Sequence, residues 1–356
     1  MTNQLLLLIT KVTMTYLPDS KRIVLLKLIV FCVPVLLYLK SVTFGFTDFD
    51  DKGLILNHSA YLSDFRNVIR VFLTDAFIDK TSVFYRPLQT LTYMIDIQLS
   101  GKINVAMFHF TNVILLGFIS CSIFLILDAF LVPPFLAALA SLFYCMHPLF
   151  ISSVAWIPAR GDLLLTLFAL LSFIFLVNFA NKRSTASLFL HWFTFSLALF
   201  CKETAAFLPF VYGVYLLSTI GHKALRTRYP LLLTGYFFTG LIWYGLRSQS
   251  VFTTPNANAP TGVKAIVANI RIIPESLTSF ILPFTIAPIP YFSNAKTIIG
   301  IAVIMVIAAI FMFNREKRAI NLFCISWYIF LLFPSLLFKH HLIDYLNHRF
   351  LLPLIG

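Results

Sequence analysis

The stretch Phe46-Thr47-Asp48-Phe49-Asp50-Asp51 places three carboxylates within four residues, just after a long apolar run. Like charges that close hold one another's pKa up, which suits a general base or a metal ligand. Asp51 would serve equally well as a cap for a helix starting at Lys52, and the motif alone balances the two readings. Four further segments carry ionisable groups. In Phe84-Tyr85-Arg86-Pro87-Leu88, Arg86 could bind a phosphate or snorkel to a membrane interface. His147-Pro148 lies in an apolar run, where a histidine needs a partner. It is followed by Trp156-Ile157-Pro158-Ala159-Arg160-Gly161-Asp162, which sets Arg160 and Asp162 at the mouth of two helices, where Asp162 could simply cap the second. Lys202 and Glu203 sit between two apolar runs with almost no loop, a costly place unless they act or neutralise each other. In Lys339–Pro353, the adjacent His340 and His341 point apart on a helix and make a poor metal site, whereas Arg349 suits a phosphate.

The elements that must position these residues are transmembrane helices. Of 356 residues, 59% are hydrophobic and only 12% charged, which leaves too little polar surface for a soluble domain. Apolar runs of about 20 residues cross a bilayer as helices, because lipid cannot satisfy open backbone groups. Spans are expected near 23–42, 106–127, 134–154, 163–180, 186–201, 204–221, 230–246, 297–313 and 319–338, with another starting at about 349 and cut off by the chain end. The fold class is therefore an all-α integral membrane protein of 9–10 transmembrane helices. The formal charge of +13 gathers in short loops between spans, which reads as topology and not as nucleic-acid binding. Lys21-Arg22, Lys182-Arg183, Lys223/Arg226/Arg228 and Arg315/Lys317/Arg318 then face the cytoplasm. This holds if the proline-broken stretch 264–292 lies on the outer face as an interfacial or re-entrant helix. Of fourteen acids, only Asp19, Asp128 and Glu316 fall inside, so something on the outer face uses carboxylates.

The whole chain, 1–356, reads as one multi-pass domain. Its first outer loop, 43–104, carries helical spacing at Leu62, Phe65, Val68, Ile69 and Phe72, which predicts helices on the membrane surface. Its second outer region is 248–296. The first apolar segment, after Lys21-Arg22, is expected to stay as an anchor and not to be cleaved. The five cysteines are scattered through apolar stretches and read as buried thiols.

Taken together and in order, these segments resemble the membrane region of the GT-C superfamily of glycosyltransferases. The nearest likeness is to the protein O-mannosyltransferases that carry transmembrane helices and tetratricopeptide repeats. The matching pieces are Asp50-Asp51 with Asn57, Tyr85–Leu88, Phe108-His109 with Asn112, His147-Pro148, Ala155-Trp156-Ile157, Arg160-Gly161-Asp162-Leu163-Leu164, Lys202-Glu203 and Arg349–Pro353. The likeness covers roughly 45–356, but no tetratricopeptide repeats follow, so the chain reads as truncated. The resemblance implies a polyprenyl- or dolichyl-phosphate sugar as donor, most commonly mannose, and a hydroxyl acceptor on a protein or a glycan. It implies a single inverting displacement beside membrane lipid, with no nucleic acid involved. Asp50 or Asp51 would be the base and Asp162 would orient the reactants. Lys202 and Arg349 would hold the lipid phosphate, with Arg86 and Arg160 as second choices and Glu203 beside them. His109, His147 and His348 would support the site. No metal is required, although the close acids could hold a divalent cation. Short loops lean toward a bacterial inner membrane over that of the endoplasmic reticulum. The alternative function is a transporter or flippase of a lipid-linked substrate, with Lys202 and Glu203 on its path, and a further one is a non-catalytic scaffold.

Overall fold

A computed structural model describes residues 19–79, 82–220, 222–251, 261–283, 286–287, 289–314, 317–337 and 343–356. The described residues are overwhelmingly helical, and the all-α membrane architecture holds. The helices are α1 (Asp19–Tyr38), α2 (Ser59–Ser63), α3 (Pro87–Ser100), α4 (Val105–Ala129), α5 (Pro134–Cys145), α6 (Ile151–Ala155) and α7 (Arg160–Lys182). They continue as α8 (Thr185–Cys201), α9 (Leu208–Ile220), α10 (His222–Ser250), α11 (Val263–Asn269), α12 (Ile272–Ile281), α13 (Asn294–Phe313) and α14 (Arg318–Leu336).

Among the described residues, five segments are long and apolar enough to cross a membrane: Ser20–Thr43, Val105–Ala129, Ile157–Lys182, Asn294–Phe313 and Arg318–Leu336. The span expected at 134–154 is a bent pair, Pro134–Cys145 and Pro148–Ala155, at an angle of 48°. The bend falls where Pro148 cannot donate to the helix ladder. The spans expected at 186–201 and 204–221 form the shorter apolar helices Thr185–Cys201 and Glu203–Ser218, and 230–246 lies within α10. Among the described residues these expected spans therefore lie on bent, shorter or less apolar helices, with a break at His147 inside 134–154 and one at Lys202 between 186–201 and 204–221. Near 349 the described residues form 3-10 turns, Asn347–Phe350 and Pro353–Ile355. Between α10 and α13 the described helices α11 and α12 have 7 and 10 residues, too short to cross.

Local signals set most helix ends. Pro87 and Pro134 occupy first-turn positions, where no N–H is missed. The side chains of Asn104, Ser184 and Ser293 accept from backbone N–H groups at the starts of α4, α8 and α13. Gly101 ends α3 in the left-handed region at φ 68°.

Helix α7 is the centre of the bundle. It packs against α8 and α4, and 72% of its apolar window is buried. At the other extreme, α13 leans on α12 with only 6% of its window buried, so nearly all its surface faces outward. Gly300 sits where α13 crosses α12, with the backbone of Pro274 directly against it.

The stretch 43–104, expected to be the first outer loop, has a small core of its own, in which Leu54, Ile55, Leu62, Val71 and Met94 close over Phe108 and Ile157. The continuous helical face expected over 61–74 is not formed. Asp64 is extended at ψ 99°, and its side chain takes the N–H of Arg66, a local bond that competes with the helix ladder. Two 3-10 turns follow, Phe65–Val68 and Arg70–Leu73. Their tighter winding buries Val71 and turns Ile69 outward at 75% exposure.

Because a side chain at Gly300 would meet fixed backbone, Gly300→Ala is expected to lose about 1–3 kcal/mol by overpacking. Thermal unfolding of the detergent-solubilised chain measures it, and an unchanged midpoint would contradict the tight crossing.

Candidate functional site

Five separate stretches converge on one cavity of about 100 Å³. Asp50 comes from the turn before the π-helical segment Lys52–Leu56, and Arg86 from the residue ahead of α3. Asp162 lies in the first turn of α7, and Lys202 in the one-residue break after α8. His348 and Arg349 come from the 3-10 turn near the end of the chain. Apolar side chains close the remaining wall, among them Phe77, Phe84 and Trp156.

Two of the charges neutralise each other. Lys202 Nζ lies 2.6 and 2.7 Å from the two carboxylate oxygens of Asp162, and both residues are buried. His348 Nε2 is 3.9 Å from the same carboxylate. Burial pushes the His348 imidazole down to about 3, against the pull of Asp162, so it is neutral at physiological pH. The arginines differ from the lysine. The Nε atoms of Arg86 and Arg349 are both buried without a hydrogen-bond partner. Glu203 stands 4.0 Å from Arg86 Nε, beyond hydrogen-bond length. Three cations face two carboxylates in the wall, so the cavity carries a net positive charge with guanidinium donors to spare. That is the chemistry of an anion site.

The structure separates the two adjacent acids. Asp50 lines the cavity. Burial raises its pKa, Arg86 opposes that rise and Asp51 adds to it. Asp51 is only 1% exposed and its Oδ2 accepts from the N–H (2.6 Å) and hydroxyl (2.7 Å) of Thr47. It ties its own turn and does not line the cavity. Its carboxyl is also raised by burial, with the Thr47 bonds opposing. Desolvation, and not the mutual repulsion expected from sequence, is the largest cause at both positions. Asp51 does not cap the following segment either.

Other expected site residues lie elsewhere. Arg160, a second choice for phosphate, is fully buried and already occupied. It pairs with Asp96 at 2.7 Å and donates to Asn112 Oδ1 and the Phe108 carbonyl, with its guanidinium over the Tyr93 ring. His147 accepts from the Leu149 N–H at the bend after α5 and packs on Phe280, 4.6 Å between ring centroids. His109 is buried against Phe44, near Asp51. Glu203 does not neutralise Lys202. It accepts from the Tyr85 N–H at 3.0 Å and so holds the segment that carries Arg86. His340 and His341 lie outside the described residues. Among the described residues, no group of three or more His, Cys, Asp or Glu is placed to hold a metal ion.

Sequence reasoning missed Asp96 as the partner of Arg160, and Phe77 and Leu54 as cavity wall. An acid buried in a helix that is otherwise half apolar was the available signal for Asp96. No local pattern marks Phe77 or Leu54.

No family model and no solved structure matches the chain. Curated proteins do. The chain is 32% identical over 206 residues to the protein O-mannosyl-transferase TMTC4 of Mus musculus, covering 50% of this chain and 27% of that protein. It is 34% identical over 142 residues to the Homo sapiens protein of the same name, covering 33% of this chain and 19% of that one. The chain spans about a quarter or less of the length of the curated relatives it matches. These matches bear out the likeness to protein O-mannosyltransferases carried by the motifs. Both relatives are mammalian, so the lean toward a bacterial inner membrane finds no support in them.

Lys202→Met leaves Asp162 buried without its cation, a loss of about 3–5 kcal/mol. The double change Lys202→Met with Asp162→Leu is expected to recover much of that stability. Equal stability of the single and double variants in denaturation of the solubilised protein would show that the pair is not coupled.

Proposed function

We propose that this chain is the membrane part of a glycosyltransferase. It would move a sugar, mannose in the first instance, from a polyprenyl or dolichyl phosphate to a hydroxyl, with protein Ser or Thr as the acceptor suggested by the relatives' names. The observation that carries this reading is the cavity itself, where Asp50 faces Arg86 and Arg349 around the Lys202–Asp162 pair. A transfer of this kind needs one base for the acceptor proton and cations where charge develops on the departing phosphate. Nothing in it needs a covalent sugar–enzyme intermediate.

Roles follow from which groups are committed. Asp50 is the base, since it lines the cavity, whereas Asp51 does not and gives its Oδ2 to Thr47. Burial raises the pKa of Asp50, which makes its carboxylate a better proton acceptor. Arg86 and Arg349 hold the lipid phosphate, because each keeps a buried Nε without a partner, whereas Lys202 is already paired with Asp162. Lys202 and Asp162 form a fixed dipole behind the phosphate, and neutral His348 adds a hydrogen-bonding group without charge. The reaction takes place on the outer side of the membrane, which in an endoplasmic-reticulum setting is the lumen.

Transfer from mannosyl polyprenyl phosphate to a Ser/Thr-rich peptide by purified protein tests this. Asp50→Asn is expected to lower the rate about 10²–10⁴-fold, while Asp51→Asn keeps more activity and loses stability. Transfer surviving in Asp50→Asn would remove Asp50 as the base. The base must be deprotonated, so the rate falls as pH drops through the Asp50 pKa. Burial raises that pKa, so the acid limb should lie above the ordinary aspartate range, and an acid limb at or below that range would count against the assignment.

A further inference from the structure

The cavity wall has two chemistries. Ionisable groups share the lining with Leu54, Phe77, Phe84, Trp156 and Leu346, and Phe84 is already taken by Arg86, whose guanidinium lies 4.7 Å from its ring centroid. A phosphate alone has no use for an apolar, largely aromatic wall. A hexose does, because one face of a pyranose ring presents C–H bonds, and these carry slight positive charge that suits the negative face of an aromatic ring.

Trp156 is held more firmly than a loop tryptophan would be. It forms the extended link between α6 and the short 3-10 turn Ile157–Ala159. Its N–H donates to the Ser152 carbonyl, and its own carbonyl accepts from Asn112 Nδ2 at 3.3 Å. Asn112 is fixed in turn by Arg160 Nε at 2.9 Å, and Arg160 by Asp96. The indole ring rests on His348 with centroids 5.0 Å apart, next to Arg349. The buried Arg160 cluster therefore holds, through Asn112, the backbone carbonyls of Val154, Trp156 and Ile157, the stretch that carries this ring at the cavity.

We propose that Trp156 is the platform for the sugar of the donor, reading its C–H face while Arg86 and Arg349 hold the phosphate. This rests on the donor reading given above and adds a sugar subsite to it. The chain Asp96–Arg160–Asn112 acts through Trp156 as a positioning relay. The subsite selects for a ring with an unbroken C–H face, and the bare carrier lipid gains nothing from it.

Two probes separate the sugar subsite from the phosphate site: a short-chain polyprenyl phosphate, and the same lipid carrying mannose on its phosphate. Binding of each is measured by titration calorimetry with the full solubilised chain. Trp156→Ala is expected to weaken the mannosylated lipid about tenfold, the size of an aromatic contact, and to leave the bare lipid within twofold. Trp156→Phe should keep most of the affinity, which also guards against misfolding of the alanine variant. Arg349→Gln should weaken both lipids alike. Equal weakening of both lipids by Trp156→Ala, or no weakening of either, overturns the platform while the phosphate site stands. Failure of the unaltered chain to bind either lipid would overturn the donor reading, and the platform with it.

Discussion

The Lys202–Asp162 ion pair is the contact on which the rest of the site depends. A lone lysine or aspartate between apolar helices is expensive to hold. Paired through two short bonds, each charge becomes tolerable, and the pair pins the start of α7 to the break after α8. That break has no room for a loop, so the pair fixes the position of Glu203 as well. Glu203 then accepts from the Tyr85 N–H and holds the segment that carries Arg86 at the cavity. With the lysine committed to its aspartate, Arg86 and Arg349 each keep a buried Nε without a hydrogen-bond partner.

A second buried pair, Arg160 with Asp96, performs a comparable task one layer away. It joins α3, α4 and α7 through Asn112 and the Phe108 carbonyl. Every donor direction of the guanidinium that the site would need is thereby used up. Two arginines of similar sequence setting, Arg86 and Arg160, thus take opposite parts. One borders the cavity with a free donor; the other is structural because Asp96 reaches it.

The far end of the chain is brought in by a third set of polar contacts. Glu275, fully buried in α12, accepts from Ser293 N–H, Thr297 and Tyr345. Asp344 accepts from Phe292 N–H, and Asn347 donates to the Ala287 carbonyl. These bonds stitch the segment carrying His348 and Arg349 to the α12–α13 region, so a site residue remote in sequence lies within reach of Asp162.

The sequence by itself determined the membrane class and most helix positions, because a bilayer enforces about 20 apolar residues per span and closed backbone bonding. It also supplied the charged residues worth watching, since intramembrane charge is costly enough to need a reason. Only the tertiary structure decided which of them share a cavity. Asp50 and Asp51 are neighbours with the same chemistry, and what divides them is a bond from Thr47 that no spacing rule predicts with confidence. Lys202 could have paired with Glu203 beside it, yet it pairs with Asp162, forty residues away in sequence. The break between α8 and α9 turns the two neighbours in different directions. Pairing of buried charges is settled by three-dimensional reach, and reach across helices is not written in local spacing.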